Sequence, residues 1–262
     1  MIVIECSQGS PEWHSARAGC ITASMFAEVR KRVNGLNDQQ QLYVDGIRSG
    51  LSESEAMTAA GYKAAPRANV LKRAIAGEKV GDFSDAAKDY AFRLAVERIS
   101  GEPLDEGGFS TYAMRRGQEL EQDARDAHSF ESDVVVRTAG FVVTEDNKFG
   151  ASADGLIGED GGAEYKCLID PARIREIVLE GNIAEFMDQV QGGMWITGRK
   201  WWHFCLYCPA LAQVGKALTV FEVARDEAYI EALELDLVEF DRLVCSYETS
   251  LRASPIITKE AA

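Results

Sequence analysis

Residues 151–167 read ASADGLIGEDGGAEYKC. Strand-forming runs, KFGASAD (148–154) with GLIG (155–158) and then GAEYKC (162–167), flank a Gly- and Asp-rich turn, GEDGGA, and predict a β-hairpin that returns Glu164 beside Asp154. In a strand, residues i and i+2 share a face, so Glu164 and Lys166 point one way and Tyr165 the other. Two carboxylates and one ammonium then converge. The two carboxylates, joined by the backbone carbonyl of Tyr165, form the hard oxygen donor set that Mg²⁺ or Mn²⁺ prefers, completed by water and substrate phosphate. A lysine there can position or deprotonate an attacking water and offset charge building on a phosphorane. The bare spacing D-x(9)-E-x-K also suits an edge strand with alternating charge. The apolar neighbours Phe149, Ala151, Leu156, Ile157, Leu168 and Ile169 favour the site reading, because an unpaired carboxylate among them would be costly.

VVVR (134–137) and GFVVT (140–144) extend the hairpin upstream into an expected meander of strands. Downstream come helices over Pro171 to Leu179 and Ile183 to Thr197, strands KWWHFCLYCP (200–209) and KALTVFEV (216–223), and an amphipathic helix from Asp226 to about Leu251. On the N-terminal side, Asp82 to Ile99 and Tyr112 to Phe130 read as helices joined by the loop SGEPLDEGG (100–108), and Ser10 to Arg32 as two short helices broken at Gly19. This order predicts an α/β or α+β domain, a mixed sheet with helices on both sides. Residues 35–81 differ: LNDQQQLYVDGIRSG, LSESEAMTAAGY and PRANVLKRAIAG are three short helical patterns in the rhythm of a trihelical helix-turn-helix unit, with Ser52 and Glu55 as a capping box. The expected division is 1–34 with 82–262 as one domain and 35–81 as an inserted helical module.

The chain has 262 residues, 46% of them hydrophobic, and 28 Lys and Arg against 42 Asp and Glu, a net charge of -14. That apolar fraction supports a true core and excludes disorder as the main description. The acidic excess argues against a protein that coats nucleic acid with its whole surface, so any DNA-binding groups must be concentrated locally. No apolar run approaches the ~18 residues of a membrane helix, and MIVIECSQGS lacks a basic n-region and long h-region, so a cytoplasmic protein without membrane contact is expected. Six scattered cysteines fit reduced thiols better than a disulfide framework.

Two further helices add polar groups. In RRGQELEQDARDAHSF (115–130), Glu121 shares a broad face with Ala124, Ala127 and His128, so a third carboxylate could reach the sheet, although taken alone Glu121 reads better as a solvated helix acid. Along AEFMDQVQGGMWITG (184–198), Ile183, Phe186, Met187, Val190 and Met194 make the core stripe; Gln189 and Gln191 flank it on opposite sides, so at most one faces the acidic pair.

WHSARAGCITAS (13–24), RGQELEQDA, ASADGL, EYKC and MDQVQGGMWITG, in this order, resemble the phage lambda exonuclease and YqaJ-type viral recombinase family, a branch of the PD-(D/E)XK nuclease superfamily. The resemblance covers about 8–34 and 110–225. It implies a restriction-endonuclease-like fold and a metal-dependent exonuclease that digests one strand of duplex DNA from the 5′ end, acting as a ring-shaped homotrimer. It also implies 3′ overhangs supplied to a single-strand annealing protein, in a bacterial host carrying a phage or prophage. Asp154, Glu164 and the Tyr165 carbonyl match the family's metal ligands, with two Mg²⁺ ions expected and Mn²⁺ as a possible substitute. Lys166 matches its catalytic lysine, Glu121 its helical acid and Gln189 its active-site glutamine. Arg17, Ser24, Ser152 and, with a different spacing after Lys166, Arg173 match a pocket for a 5′-phosphate, and a guanidinium with two hydroxyls suits a terminal phosphate dianion. The motif usually has Pro before its first Asp; this chain has Ala153.

The 35–81 module is extra to that pattern. YVDGIRSGLSESEAMTAAGY resembles the helix-turn-helix at the start of phage terminase small subunits, and Lys63, Arg67, Lys72 and Arg73 lie in an acid-free stretch. DNA contact and a purely structural or trimer-contact role both remain open for it. Cys205-x2-Cys208 with Cys167 and Cys245 resembles the cysteine set of iron-sulfur nucleases, but i and i+3 of a strand face opposite sides, and buried thiols are the better reading. His14, His128 and His203 lack zinc-ligand spacing. Trp195, Trp201 and Trp202 are expected in the core or an interface. The competing functional readings are a structure- or site-specific endonuclease with the same centre, and a DNA-binding recombination scaffold whose centre is inert.

Overall fold

Trp202, Phe204 and Leu206 alternate with His203 and Cys205 along one strand, and all five are buried, so both faces of that strand must be covered. The computed structural model describes residues 1–104 and 111–253 and divides into two units, Met1–Val29 with Asp89–Ala262, and Arg30–Lys88. In chain order the elements are β1 (Ile2–Ile4), α1 (Pro11–Arg17), β2 (Ile21–Thr22), α2 (Phe26–Arg30), β3 (Arg32–Val33), α3 (Asp38–Arg48), α4 (Glu53–Ala59), α5 (Asn69–Ile75) and β4 (Asp82–Phe83). There follow α6 (Asp85–Ser100), α7 (Tyr112–Glu131), β5 (Val136–Arg137), β6 (Phe141–Val143), β7 (Phe149–Ala151), β8 (Gly155–Ile157) and β9 (Gly161–Lys166). The chain continues through α8 (Pro171–Glu180), α9 (Met187–Thr197), β10 (Trp201–Tyr207), β11 (Leu218–Ala224) and α10 (Glu227–Arg252).

The larger unit is a mixed α/β fold around a five-stranded sheet ordered β11-β10-β9-β8-β5, in which only β9 and β10 run parallel. Trp202, Phe204 and Leu206 project onto Phe186 and onto Val190 and Met194 of α9, with Ile177 of α8. Ala163, Tyr165 and Cys205 project the other way and meet Ala124 of α7. Trp202 sits between two glycines, since a Cβ at Gly162 or at Gly193 would lie 2.3 Å or 3.1 Å from its ring. That close approach explains the second glycine of QVQGGMW; the first, Gly192, faces Phe26, whose ring would lie 2.5 Å from a Cβ there. No helix among the described residues is long and apolar enough to cross a membrane.

The expected single meander is two sheets. β6 and β7 pair with β1 and β2 in a second, four-stranded sheet, ordered β1-β6-β7-β2, and the chain changes sheet at 152–154. Ile21, read as helical, is instead in β2, parallel to β7, because the Gly19 turn (φ +73°) ends α1 and the next residues bury themselves against Phe149. Buried Glu97 and its neighbour Arg98 hold that turn: Glu97 Oε2 accepts from Gly19 N at 2.9 Å and Arg98 Nε donates to Gly19 O at 2.9 Å. The α6 helix begins at Asp85 rather than Asp82, with the Ser84 hydroxyl accepting from Ala87 N. The loop expected at 100–108 lies partly outside the described residues.

Asp241 of α10 is buried, and its carboxylate pairs with Arg98 at 2.7 Å and Lys148 at 2.6 Å. Despite burial, these two cations hold it below the usual carboxylate range. Removing one partner of a buried pair leaves an uncompensated charge, so Asp241→Ala should cost about 3 to 5 kcal/mol in urea unfolding. A loss below about 1 kcal/mol would mean the cluster behaves as a solvated surface pair.

The smaller unit has its own core. Tyr43 and Val44 of α3, Ala56 and Ala60, and Leu71 and Ala74 of α5 pack together. The antiparallel pair β3–β4 belongs to this unit, which places its limits outside 35–81. Asn37 and Ser52 both head their helices with complete capping boxes, the latter using Glu55.

Candidate active site

Gly155 pairs with Ala163 across the β8–β9 hairpin, so Asp154 stands beside Glu164. Asp154 Oδ2 accepts the Tyr165 amide at 2.8 Å. Glu164 is 4% exposed, and its Oε1 accepts from Lys166 Nζ at 2.7 Å and from Gln189 Nε2 at 2.6 Å. The triangle closes through Lys166 Nζ donating to Gln189 Oε1 at 2.9 Å. Gln191 points elsewhere, accepting from Asp226 N and donating to Ala224 O. On α7, Glu121 accepts from Arg125 Nη2 at 2.5 Å, and the same nitrogen donates to the Asp154 carbonyl at 3.1 Å. Arg125 therefore ties the helical acid to the backbone of the first motif residue. Sequence reading missed it, although its i+4 spacing from Glu121 was the available signal.

Burial, then the Glu164 and Glu121 charges, push the Asp154 carboxyl well above the usual range. Burial also raises Glu121, partly offset by Arg125. For Lys166, burial alone would lower the pKa, but Glu164 and Asp154 outweigh it and the ammonium is held protonated. Three carboxylates thus surround less positive charge than they need. Among the described residues, no group of three or more His, Cys, Asp or Glu is placed to hold a metal ion. Two carboxylates with open positions still match how Mg²⁺ is commonly held, through one or two protein acids plus water and phosphate. The donor set fits a divalent cation.

Arg17, Ser24 and Ser152 line a cavity of about 270 Å³ together with Asp154, Glu164 and Gln189. The Arg17 guanidinium lies 3.9 Å from the centre of the Trp13 ring and donates to Thr22 Oγ1 at 3.4 Å. Burial lowers its pKa from the usual arginine value. Thr22 Oγ1 is 3.3 Å from Ser24 Oγ, and Ser152 Oγ accepts from Trp13 Nε1 at 2.8 Å. Gln8 Nε2 donates to Ala153 O at 2.8 Å, a tether at the position where a proline is usual, which the sequence did not disclose. Arg173 is not brought into this cavity. It pairs with Glu185 at 2.7 and 2.8 Å and lines a neighbouring cavity of about 430 Å³ with Lys166. Both cavities, and a third of about 520 Å³ beside Gln8 and Arg125, include Asp154 and Glu121, so these two acids stand where the three openings meet. In the smaller unit, Lys63, Arg67, Lys72 and Arg73 are all exposed.

Behind β9, the Tyr165 hydroxyl lies 2.8 Å from His128 Nδ1, and His128 Nε2 lies 2.8 Å from His203 Nδ1. His128 is 0% exposed. The three contributors are 37 and 75 residues apart, so no spacing rule reveals them. Burial, then His203, lowers the His128 pKa to about 4. Burial likewise lowers His203. A histidine held neutral in the fold gains its proton only on unfolding. Stability should therefore be full above about pH 6.5 and fall, by on the order of 3 kcal/mol, as the pH drops towards 4. Melting curves of wild type and His128→Gln over that range check this; parallel profiles would show that His128 does not contribute. All six cysteines are free, and Cys205 and Cys208 are buried.

A family model described as YqaJ-like viral recombinase domain matches residues 12–200. The fold is similar to an alkaline exonuclease (LHK-Exo) from Laribacter hongkongensis, with TM-score 0.63 and 25% identity over 93% of this chain and 97% of that one; its complex with dAMP gives the same values. A phage related exonuclease from Haemophilus somnus 129PT shares the fold at TM-score 0.51 and 14% identity, over 71% of this chain and 89% of that one. No match is found among curated proteins.

Proposed function

The chain belongs to the YqaJ-like viral recombinase domain family, and from that premise we propose that it is a phage-type exonuclease that digests one strand of duplex DNA from its 5′ end. The product would be a 3′ overhang for a single-strand annealing protein, formed in the cytoplasm of a bacterial host by a homotrimer. The similarity to an alkaline exonuclease supports the reaction class. The observation that carries the reading is one cavity lined both by Asp154, Glu164 and Gln189 and by Arg17, Ser24 and Ser152, which would join a hydrolytic centre to a seat for a terminal phosphate.

Asp154, Glu164 and the Tyr165 carbonyl would hold Mg²⁺, or Mn²⁺ in its place, two ions being expected. Bound there, the metal supplies Lewis-acid stabilisation of the phosphate and a water of lowered pKa. The chain's own groups do the rest. Lys166, kept protonated by the two acids, offsets charge on the phosphorane and orients the attacking water. Gln189 fixes the lysine by accepting from its ammonium. Glu121, aligned by Arg125, faces the same meeting point as a further acceptor. Arg17 with Ser24 and Ser152 would seat the 5′-phosphate, so the scissile bond one nucleotide inward meets Lys166.

A closed circular duplex should survive incubation that degrades the linear form, whereas nicking of the circle would favour the endonuclease reading. Arg17→Ala should lose the preference for 5′-phosphorylated over 5′-hydroxyl ends, by about tenfold or more for one charged hydrogen bond. An unchanged preference would remove Arg17 from that role.

A further inference from the structure

The Arg30–Lys88 unit departs from the rest of the chain in charge. It holds ten Lys and Arg against seven Asp and Glu, whereas the whole chain carries -14. Within it, Ala56 to Gly77 contains no acid and four bases, Lys63, Arg67, Lys72 and Arg73. The segment is two-sided. Tyr62, Val70, Leu71, Ala74 and Ile75 pack on the unit's core, and the four basic side chains all face outward. Lys63, Arg67 and Lys72 have no carboxylate partner among the described residues; Arg73 shares Glu78 at 2.7 Å, both side chains 55% exposed.

A helix-turn-helix would place the start of α4 against the bases. Here that end carries Glu53 and Glu55, the latter locked in the Ser52 capping box, and phosphate would be repelled. We propose instead that the exposed basic face of residues 63–73 binds the sugar-phosphate backbone of duplex DNA without reading its sequence, giving the nuclease a second hold on its substrate. Unpaired surface ammonium and guanidinium groups release counterions from phosphate, which yields affinity that falls with salt and is indifferent to base order. A face on which bases outnumber acids, with Glu78 beside Arg73 the acid it carries, is selective for such a polyanion in a chain whose other regions are acidic. The inference rests on duplex DNA being the substrate.

The test is the full-length triple variant Lys63→Ala/Arg67→Ala/Lys72→Ala, compared with wild type by fluorescence anisotropy on labelled linear duplexes of two unrelated sequences, across a NaCl series. The plot of log affinity against log salt should flatten by about 0.9 for each phosphate that the variant no longer neutralises, equally on both sequences, with affinity falling about tenfold or more near 0.1 M salt. The digestion rate at saturating DNA should stay within about twofold, since none of the three lines the catalytic cavities. An unchanged slope and affinity would overturn the proposal, as would a loss confined to one sequence, which would signal base readout, or binding of only an acidic protein at this face. Should the triple variant melt early, Lys72→Gln alone, expected to change the slope by about 0.9, serves the same purpose. A wild type that binds duplex with the full salt slope yet digests nothing would refute the nuclease reading and leave this face standing.

Discussion

Lys166→Ala should bind linear duplex within a few-fold of wild type and lose about 10²- to 10⁴-fold in digestion rate, the range typical of removing a group that acts only on the developing charge. Among the described residues, Lys166 is the one ammonium bonded inside the acidic cluster, within 2.7 Å of Glu164 and 2.9 Å of Gln189. Among the described residues its loss leaves buried Glu164 with the Gln189 amide as its side-chain donor, so circular dichroism must first show the variant folded. With the fold intact, digestion near the wild-type rate would show that the reaction does not run through this lysine.

Asp154→Asn should act in two directions at once. Digestion is expected to fall by about 10³-fold or more, because a carboxylate donor is removed from the hard-ligand set. Stability in cation-free buffer is expected to rise, by on the order of 1 kcal/mol, because the Asp154 carboxylate is buried against Glu164 and Glu121. The sign follows from its pKa, raised above the ordinary 3.8: the folded state resists ionisation, so the wild type loses stability as the pH rises beyond that value, and an amide does not. Asparagine still offers an oxygen to the Tyr165 amide. Adding Mg²⁺ should raise the melting temperature of the wild type and leave the variant nearly unmoved. A variant less stable than wild type without metal, or equally stabilised by Mg²⁺, would contradict the role given to Asp154.

What could be read in the chain was what lies close along it or repeats with a helix or strand period. Asp154, Glu164 and Lys166 sit on one hairpin, so turn chemistry and the two-residue alternation suffice to bring them together. The choice between Gln189 and Gln191 needed only the statement that one faces the acids, and the structure selects Gln189. The division into two sheets was hidden because β6, β7, β8 and β9 look alike as short apolar runs, and only the partners β1 and β2, remote in sequence, decide which sheet each joins. The Tyr165–His128–His203 chain and the Gln8 tether were hidden for the same reason. Each is a long-range hydrogen bond with no local pattern. Arg173 was placed by resemblance, where the spacing already differed, and its carboxylate partner Glu185 was visible only in three dimensions.

Linear duplex labelled separately at its 5′ and 3′ ends, followed over time with Mg²⁺ and with EDTA, tests the central claim most directly. The 5′ label should leave first as mononucleotide while the 3′ label stays in a shortening duplex that becomes single-stranded, and EDTA should stop both until Mg²⁺ is restored. Early release of the 3′ label, or digestion that continues in EDTA, would contradict it.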